Sequence, residues 1–580
     1  MWRVLEVDKL IIKNGLLFDP LNNVNNEIKD ILIESGKIVE RFRNENNVNE
    51  INAKGKTIIP SAIDIHTHVA SQQVNWARLL GTKNKVFNEY WQGLTLKNIA
   101  RDYVSMGYTF ILESNVFPSL AKQTIFNFQQ LPVLDKGMLL NISNLWPLEL
   151  EFQRGKIKEM TIFLSDLLSK TYGFGFKIYN PFESESWNFR ELRENIVSPG
   201  RLYNFSPLDV YENVVKCIES LGLPHSAHCH VEGYENQIGQ KNLFAILEKI
   251  KSLNIEPNQK TDLKIKRDQV LHIAHANTYC LNGKNENLIN FLNENQNIDI
   301  NLGFIGFNQI NPLITSDRRL INSMLNIDIL ENPYKLISSA IEFEGDSFVT
   351  LRNFDKNNFY NCNFWANALD LAINTKNKFQ VSFSLNFPNY ANILDIPEII
   401  TWLVSNNARD TFMKGMNKEF LKNNSLQNEE KSLNFSEFVT ITRASPAKSL
   451  GIGSIKGNLG IDADADINIL DININEVDIS KNFEILKNAL SNIDYVIKSG
   501  KIVKKQNKID FNTQGSIFWS SGKPETEGKE FILSKKEDFY QKYSSMFYSS
   551  YKVSVDEQLL RKINGPILCF YIKIKFRFLL

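Results

Sequence analysis

Cysteine is scarce in this sequence. Five among 580 residues (Cys217, Cys229, Cys280, Cys362 and Cys569) are scattered, odd in number and never arranged as CxxC. That pattern excludes an iron–sulfur cluster and offers no disulfide framework, so a reducing compartment is expected. An excess of charge of either sign is missing as well. Lysine plus arginine (66) nearly cancel aspartate plus glutamate (65), leaving +1, and no basic surplus exists to drive binding to nucleic acid or an anionic membrane. No stretch approaches the ~18 consecutive apolar residues of a membrane span, and the opening MWRVLEVDKL lacks the apolar core of a signal peptide. A cytoplasmic protein with no membrane and no nucleic-acid partner is expected. What is present is ordinary for a globular chain, 43% hydrophobic and 23% charged. The length exceeds one ordinary domain but suits a barrel with an appended domain.

The first sixty residues read as short strands broken by turns. KLIIKNGLLFD and DILIESGKIVE cluster apolar residues around Asn-Gly and Ser-Gly. Near the other end DYVIKSGKIVKK repeats Ser-Gly-Lys-Ile-Val at 499–503, matching 35–39, and DADADINILDI at 462–472 reads as an alternating strand. Two distant segments of like character predict one small β domain, a β-sandwich, built from residues 1–60 and 441–510. Between them, residues 61–440 alternate eight strand candidates (AIDIHTHV, YTFILESN, GMLLNISN, GFGFKIYN, HSAHCHV, VLHIAHA, NIDINLGF and FQVSFSLNF) with helical stretches. This predicts an α/β fold, a (β/α)₈ TIM barrel, with the segment from about 304 to 376 and the helical NNARDTFMKGMNKEFLKNN as additions. Residues 511–580 are unassigned, although the closing FYIKIKFRFLL suits a terminal strand.

Histidine is nearly as scarce. There are seven, and all fall in three strand candidates: His66 and His68 in the first, His225, His228 and His230 at the fifth, His272 and His275 at the sixth. A lone histidine is more often a satisfied core residue, but seven that avoid every loop and helix are not dispersed by chance. The period of two in a strand points His66 and His68 to one side, and His228 and His230 to one side. In a barrel that side is the interior, and the C-terminal strand ends carry the chemistry. Neutral imidazole is the commonest ligand of zinc-like metals, so the pattern predicts a metal site. The fourth strand adds Lys177. A lysine at a barrel rim usually snorkels to water, but one buried beside two cations cannot stay protonated cheaply. Carbamylation by carbon dioxide would make it an anion able to bridge two metals.

These residues, with IIPSAIDIHTHV and ITRASPAKSLGIGSIKGNLGIDADADINILD, resemble the amidohydrolase superfamily. HTHVASQQVNWARLL, MGYTFILESNVFPSLAKQ, LPVLDKGMLLNISN, FKIYNP, LPHSAHCHVEG and FPNYANILDIPEIITWL further resemble one branch of it. That branch comprises the A subunits of formylmethanofuran dehydrogenases and of bacterial formyltransferase/hydrolase complexes, and the match runs in order through most of residues 1–510. The resemblance implies a metal-bearing barrel with two zinc ions bridged by an N6-carboxylysine at Lys177. His66 and His68 match the first-strand ligands. His230 matches the fifth-strand ligand, with His228 as its competitor, and His275 matches the sixth better than His272. The implied reaction is hydrolysis, or reverse formation, of the N-formyl amide of formylmethanofuran or formylmethylofuran, giving formate and the free amine. The implied partners are a formyltransferase and the other subunits of such a complex. Two assemblies stay open, one redox and one purely hydrolytic and coupled to tetrahydromethanopterin.

One position departs from the family. The aspartate that binds a metal and carries a proton at the eighth strand is here Asn386, in SLNFPNYAN. An amide can lend oxygen to a metal but cannot accept a proton near neutral pH. Asn386, Lys177 and His230 are therefore the candidate catalytic positions, with Glu232 and Glu113 as carboxylates able to substitute as base. The alternatives are an impaired scaffold subunit of the same complex or another, cyclic-amide, amidohydrolase.

Overall fold

A computed structural model describes residues 9–71, 95–143, 154–182, 195–200, 204–281, 285–307, 310–315, 336–339, 346–427, 429–522 and 557–563, with isolated positions between these stretches. The chain opens with β1 (Lys9–Asp19), β2 (Val24–Glu34), β3 (Lys37–Val39), β4 (Asn49–Asn52) and β5 (Thr57–Pro60). It then enters a parallel series: β6 (Ala62–Thr67), β7 (Tyr108–Val116), β8 (Asp135–Asn141), β9 (Gly175–Tyr179), β10 (Ala227–His230), β11 (Leu271–Ile273) and β12 (Ile298–Gly303). A three-stranded antiparallel sheet follows, β13 (Ile310–Thr315), β14 (Leu336–Ser339) and β15 (Asp346–Asn353), before the series resumes at β16 (Val381–Ser384). The return to the first sheet is through β17 (Ile467–Leu470), β18 (Tyr495–Lys498), β19 (Lys501–Lys505) and β20 (Lys508–Ile509). Last come β21 (Ile517–Trp519) and β22 (Leu560–Lys562).

All eight expected barrel strands form. They pair in parallel from β6 round to β16. A bridge between Thr67 and Phe387, with the His68 amide donating to the Phe387 carbonyl at 2.7 Å, brings β16 back to β6. Helices pack outside, and their ends follow from the sequence. Before β10, for example, the helix Pro207–Leu221 starts at a Ser206–Asp209 capping box with proline in its first turn, and stops at Gly222, whose φ is 66°. No helix among the described residues is long and apolar enough to cross a membrane.

The strands of both ends form one mixed nine-stranded sheet, ordered β20-β19-β18-β17-β5-β1-β2-β3 with β4 on β1. Its strands are hydrogen-bonded continuously, joining the two ends of the chain in one β domain. It folds over a core of its own that includes Leu10, Ile12, Ile31, Ile33, Ile58, Ile467, Ile469 and Ile497. The repeated Ser-Gly turns meet: a Cβ on Gly36 would lie 3.0 Å from the Ser499 carbonyl oxygen, and one on Gly500 would lie 3.2 Å from the Gly36 Cα. Only glycine allows that approach, at φ of 80° and 75°. Asn14-Gly15, expected as a turn, is a register shift inside the unbroken β1, where Asn14 takes φ 61°.

The run at 462–472 also differs, since only Ile467–Leu470 is strand. Its aspartates turn instead into a buried ionic cluster at the floor of the barrel. Lys456 Nζ lies 2.6, 2.7 and 2.6 Å from Asp135, Asp464 and Asp466, and Lys498 lies 2.7 Å from Asp135. Arg561, in the C-terminal segment, also pairs with Asp464. Beside it β21 joins β8, and Phe518 and Ile563 pack with Ile63, Ile65, Phe110, Leu112, Leu139 and Phe174. The described parts of the segment that the sequence left unassigned, residues 511–522 and 557–563, thus pack at the floor of the barrel. The closing FYIKIKFRFLL lies outside the described residues.

Candidate metal centre

The C-terminal ends of the strands surround a pocket of about 400 Å³ lined by His66, His68, Asn115, Lys177, Tyr179, His230, Tyr234, His275, Ile314, Thr315, Asn386 and Asn389. Strand register explains the gathering. Lys177 lies opposite His228 and Tyr179 opposite His230, while His228 lies opposite His272. In β6 the register against β7 shifts between Asp64 and Thr67. Ile63 and Ile65 belong to the floor cluster, and after the shift His66 and His68 reach the mouth on the same inner side. Such irregularities re-aim side chains beside active sites. The displaced Asp64 is held among the helices. It accepts from the His66 amide (3.2 Å), the Ser384 hydroxyl (2.8 Å) and the Tyr103 hydroxyl (2.9 Å), and burial pushes its carboxyl up to about 6.

The seven histidines sort into two layers. His66, His68, His230 and His275 line the pocket with Lys177. His225, His228 and His272 lie beneath it, fully buried. His228 is committed on both sides, its Nε2 2.9 Å from His66 Nδ1 and its Nδ1 3.1 Å from His225 Nε2. His272 Nδ1 faces Asp299 Oδ1 at 2.8 Å, and its Nε2 accepts from Asn301 at 2.9 Å. Of the two pairs left open in the sequence, His230 and His275 line the pocket, whereas His228 and His272 lie below it. Across the pocket His230 Nδ1 and His275 Nε2 face each other at 3.0 Å, and His230 Nε2 is buried without a hydrogen-bond partner.

Burial holds His66, His228 and His230 well below the ordinary histidine pKa, reinforced by Lys177 at the first two and by His275 at the third. Burial thus favours the neutral ring at all three, and of these His66 and His230 line the pocket, where a neutral imidazole can offer a lone pair to a cation. Burial likewise brings the Lys177 ammonium down to about 7, opposed only by the Cys229 thiol. A lysine amine free at neutral pH is what reaction with carbon dioxide needs.

Asn386 reaches the pocket from just beyond β16 in a left-handed conformation, φ 46°. Its amide N–H donates to Ser384 Oγ (3.0 Å), and its Oδ1 accepts from Asn389 Nδ2 (3.3 Å). None of the twelve lining residues is a carboxylate. Glu113 stands just behind the lining. Its Oε2 accepts from the Val69 and Ala70 amides at 2.7 and 2.6 Å, while Oε1 has no hydrogen-bond partner and lies 3.7 Å from His68 Nδ1. Glu232 is buried away from the lining. Residues the sequence reading missed are Tyr179, Asn115, Tyr234, Thr315 and Asn389. Tyr179 and Asn115 were accessible in principle, each two residues beyond a candidate on the same strand face. Thr315 was not, because it arrives from β13, where its hydroxyl lies 3.0 Å from that of Tyr179.

Among the described residues, no three His, Cys, Asp or Glu side chains stand close enough to hold an ion as they are. The donor set nonetheless fits a metal pair. It offers four pocket imidazoles, two of which (His66 and His230) burial holds well below the ordinary histidine pKa, an unpartnered buried His230 Nε2, and an amine whose carbamate would supply the anionic bridge.

The amidohydrolase family matches residues 387–504. Protein FwdA of Methanocaldococcus jannaschii is 27% identical over 567 residues, covering 94% of this chain and 96% of its own. The A-type chain of the formyltransferase/hydrolase complex Fhc of Methylorubrum extorquens is 23% identical over 518 residues, 85% of this chain and 89% of its own. In the crystal structure of the complex FhcABCD from Methylorubrum extorquens with methylofuran, one chain superposes with a TM-score of 0.82 at 20% identity, over 96% of this chain and 99% of that one.

Proposed function

We propose that this chain, whose residues 387–504 match the amidohydrolase family, hydrolyses the N-formyl amide of a furan-linked amine such as formylmethanofuran or formylmethylofuran. Water adds to the formyl carbon, the C–N bond breaks, and formate and the protonated amine leave. The observation that carries this reading is the convergence of His66, His68, Lys177, His230 and His275 on one pocket at the C-terminal mouth of the barrel. These five would hold two zinc ions, Lys177 as its carbamate. When bound, such a pair supplies Lewis acidity, polarising an amide carbonyl and acidifying water. The remaining lining orients the substrate. The Tyr179–Thr315 hydroxyl pair and the Asn386–Asn389 amides offer polar contacts around a compact formyl group, while the long tail of the carrier extends outward. Assembly with a formyltransferase and further subunits would deliver the formyl carrier to this mouth.

A second reading is favoured by one specific observation, the lining without a carboxylate. Proton transfer by a positioned base is worth about 10²–10⁴-fold in rate, so a chain lacking it could persist as a metal-binding scaffold for its partners. Formate release from a formylated furan-amine by the zinc-loaded protein separates the two. The hydrolase reading expects turnover that disappears in Lys177→Ala; zinc binding without formate supports the scaffold.

A further inference from the structure

The layer beneath the pocket contains a continuous chain of imidazoles that ends on a backbone carbonyl. His66 Nδ1 lies 2.9 Å from His228 Nε2, His228 Nδ1 lies 3.1 Å from His225 Nε2, and His225 Nδ1 lies 2.9 Å from the Ser449 carbonyl oxygen. All three rings are buried, and no carboxylate touches any of them among the described contacts. A carbonyl oxygen can only accept, and a neutral imidazole has one donor and one acceptor. The last link therefore fixes the others. His225 must carry its proton on Nδ1, leaving Nε2 to accept from His228 Nδ1–H. His228 Nε2 then accepts from His66 Nδ1–H. The reverse order would press the His225 Nδ1 lone pair against the carbonyl oxygen, forfeiting a buried hydrogen bond and adding repulsion.

The Asn301 amide could compete, because its Nδ2 is 3.4 Å from His66 Nδ1. Its shorter bond is to His272 Nε2 at 2.9 Å, and its Oδ1 is held by the His275 amide at 2.8 Å. The His228 contact therefore decides the His66 proton.

We propose that His225 and His228 are positioning residues that lock His66 as its Nδ1–H tautomer, so that Nε2, its remaining ring nitrogen, is delivered to the pocket as a lone pair for a cation. The inference deepens the metal-centre reading and rests on it for the purpose of the lock. Metal-binding histidines commonly donate their second nitrogen directly to a carbonyl or carboxylate. Here the carbonyl acts at two removes, through imidazoles that the strand register stacks beneath the ligand.

Seven histidines make the test tractable. Nitrogen-15 imidazole correlation spectra of the metal-free full chain, labelled at histidine, report each tautomer directly. His66, His228 and His225 should all appear as Nδ1–H. His225→Phe removes the anchor while keeping ring volume. It should release His66 and His228 toward Nε2–H or an average, and weaken zinc in a chelator competition by about 10–100-fold. His225→Gln, whose amide can both donate and accept, should recover part of each effect. Nε2–H on His66 or His228 in the native spectrum would overturn the proposal, as would unchanged tautomers and zinc affinity in a folded His225→Phe. The native spectrum decides even if that variant fails to fold. If the tautomers are as expected but the native chain binds less than one zinc, the lock stands and the metal-centre reading falls.

Discussion

Lys177→Met in the metal-free protein is a demanding test of the pocket's electrostatics, because it should raise stability at the centre of the candidate site. Burial holds the Lys177 ammonium at about 7, against 10.5 for an ordinary lysine. In the unfolded chain the amine takes a proton below about pH 10.5, whereas in the folded chain it does so only below about 7. Between those limits the unfolded state binds more protons, so stability rises with pH. The penalty is complete below about pH 7, fades through the window, and is gone above about 10.5. At about 1.4 kcal/mol per pH unit it has a ceiling of about 5 kcal/mol. Methionine has nearly the same volume and no charge, so Lys177→Met should recover about 2 kcal/mol or more at pH 7 and little at pH 10. Denaturant unfolding at both pH values, with chelator and without bicarbonate, measures the difference. With zinc and bicarbonate the sign should invert, because the substitution removes the carbamate and the ligand-linked stability with it. Loss of stability at pH 7 in the metal-free state, or an equal gain at both pH values, would refute the reasoning.

Asn386→Asp should raise formate release by at least about tenfold near neutral pH, a conservative floor beneath the about 10²–10⁴-fold of general-base help; an unchanged rate means that another group, such as Glu113 at 3.7 Å from His68, already takes the proton. Lys456→Met leaves Asp135, Asp464 and Asp466 with one buried partner fewer and should cost about 3–5 kcal/mol in denaturant unfolding, whereas a loss below about 1 kcal/mol would mean that the cluster is hydrated. Phe518→Ala opens a cavity at the floor of the barrel and should cost about 3–5 kcal/mol, while a neutral result would detach the C-terminal segment from the fold.

Much of this architecture was legible because its signals are local. Eight apolar strand candidates alternating with helical stretches sufficed for the barrel, and the Ser-Gly-Lys-Ile-Val repeat marked the two ends as one β domain. The histidines were conspicuous through rarity and strand spacing. What stayed hidden depends on three-dimensional register. Period-two reasoning places Asp64 beside His66 and His68, yet the shift against β7 sends Asp64 to Tyr103 and the histidines to the mouth. Nothing in HSAHCHV distinguishes His230, at the pocket, from His228, one level below, because both share a strand face and only depth separates them. The aspartates of DADADINILDI read as the polar face of a strand, but Asp464 and Asp466 pair with Lys456, and Asp466 also with Lys498, which no local pattern connects to them. Phe518 likewise packs against strands nearly 400 residues earlier.

The central claim is metal-dependent cleavage of a formamide, and formate release titrated against added zinc tests it most directly. The metal-free chain, in bicarbonate buffer with a formylated furan-amine, should release no formate. The rate should then rise with zinc and level off near two equivalents per chain. A rate that stays at zero across the whole titration would contradict the claim, and a plateau reached with no added metal would contradict it equally.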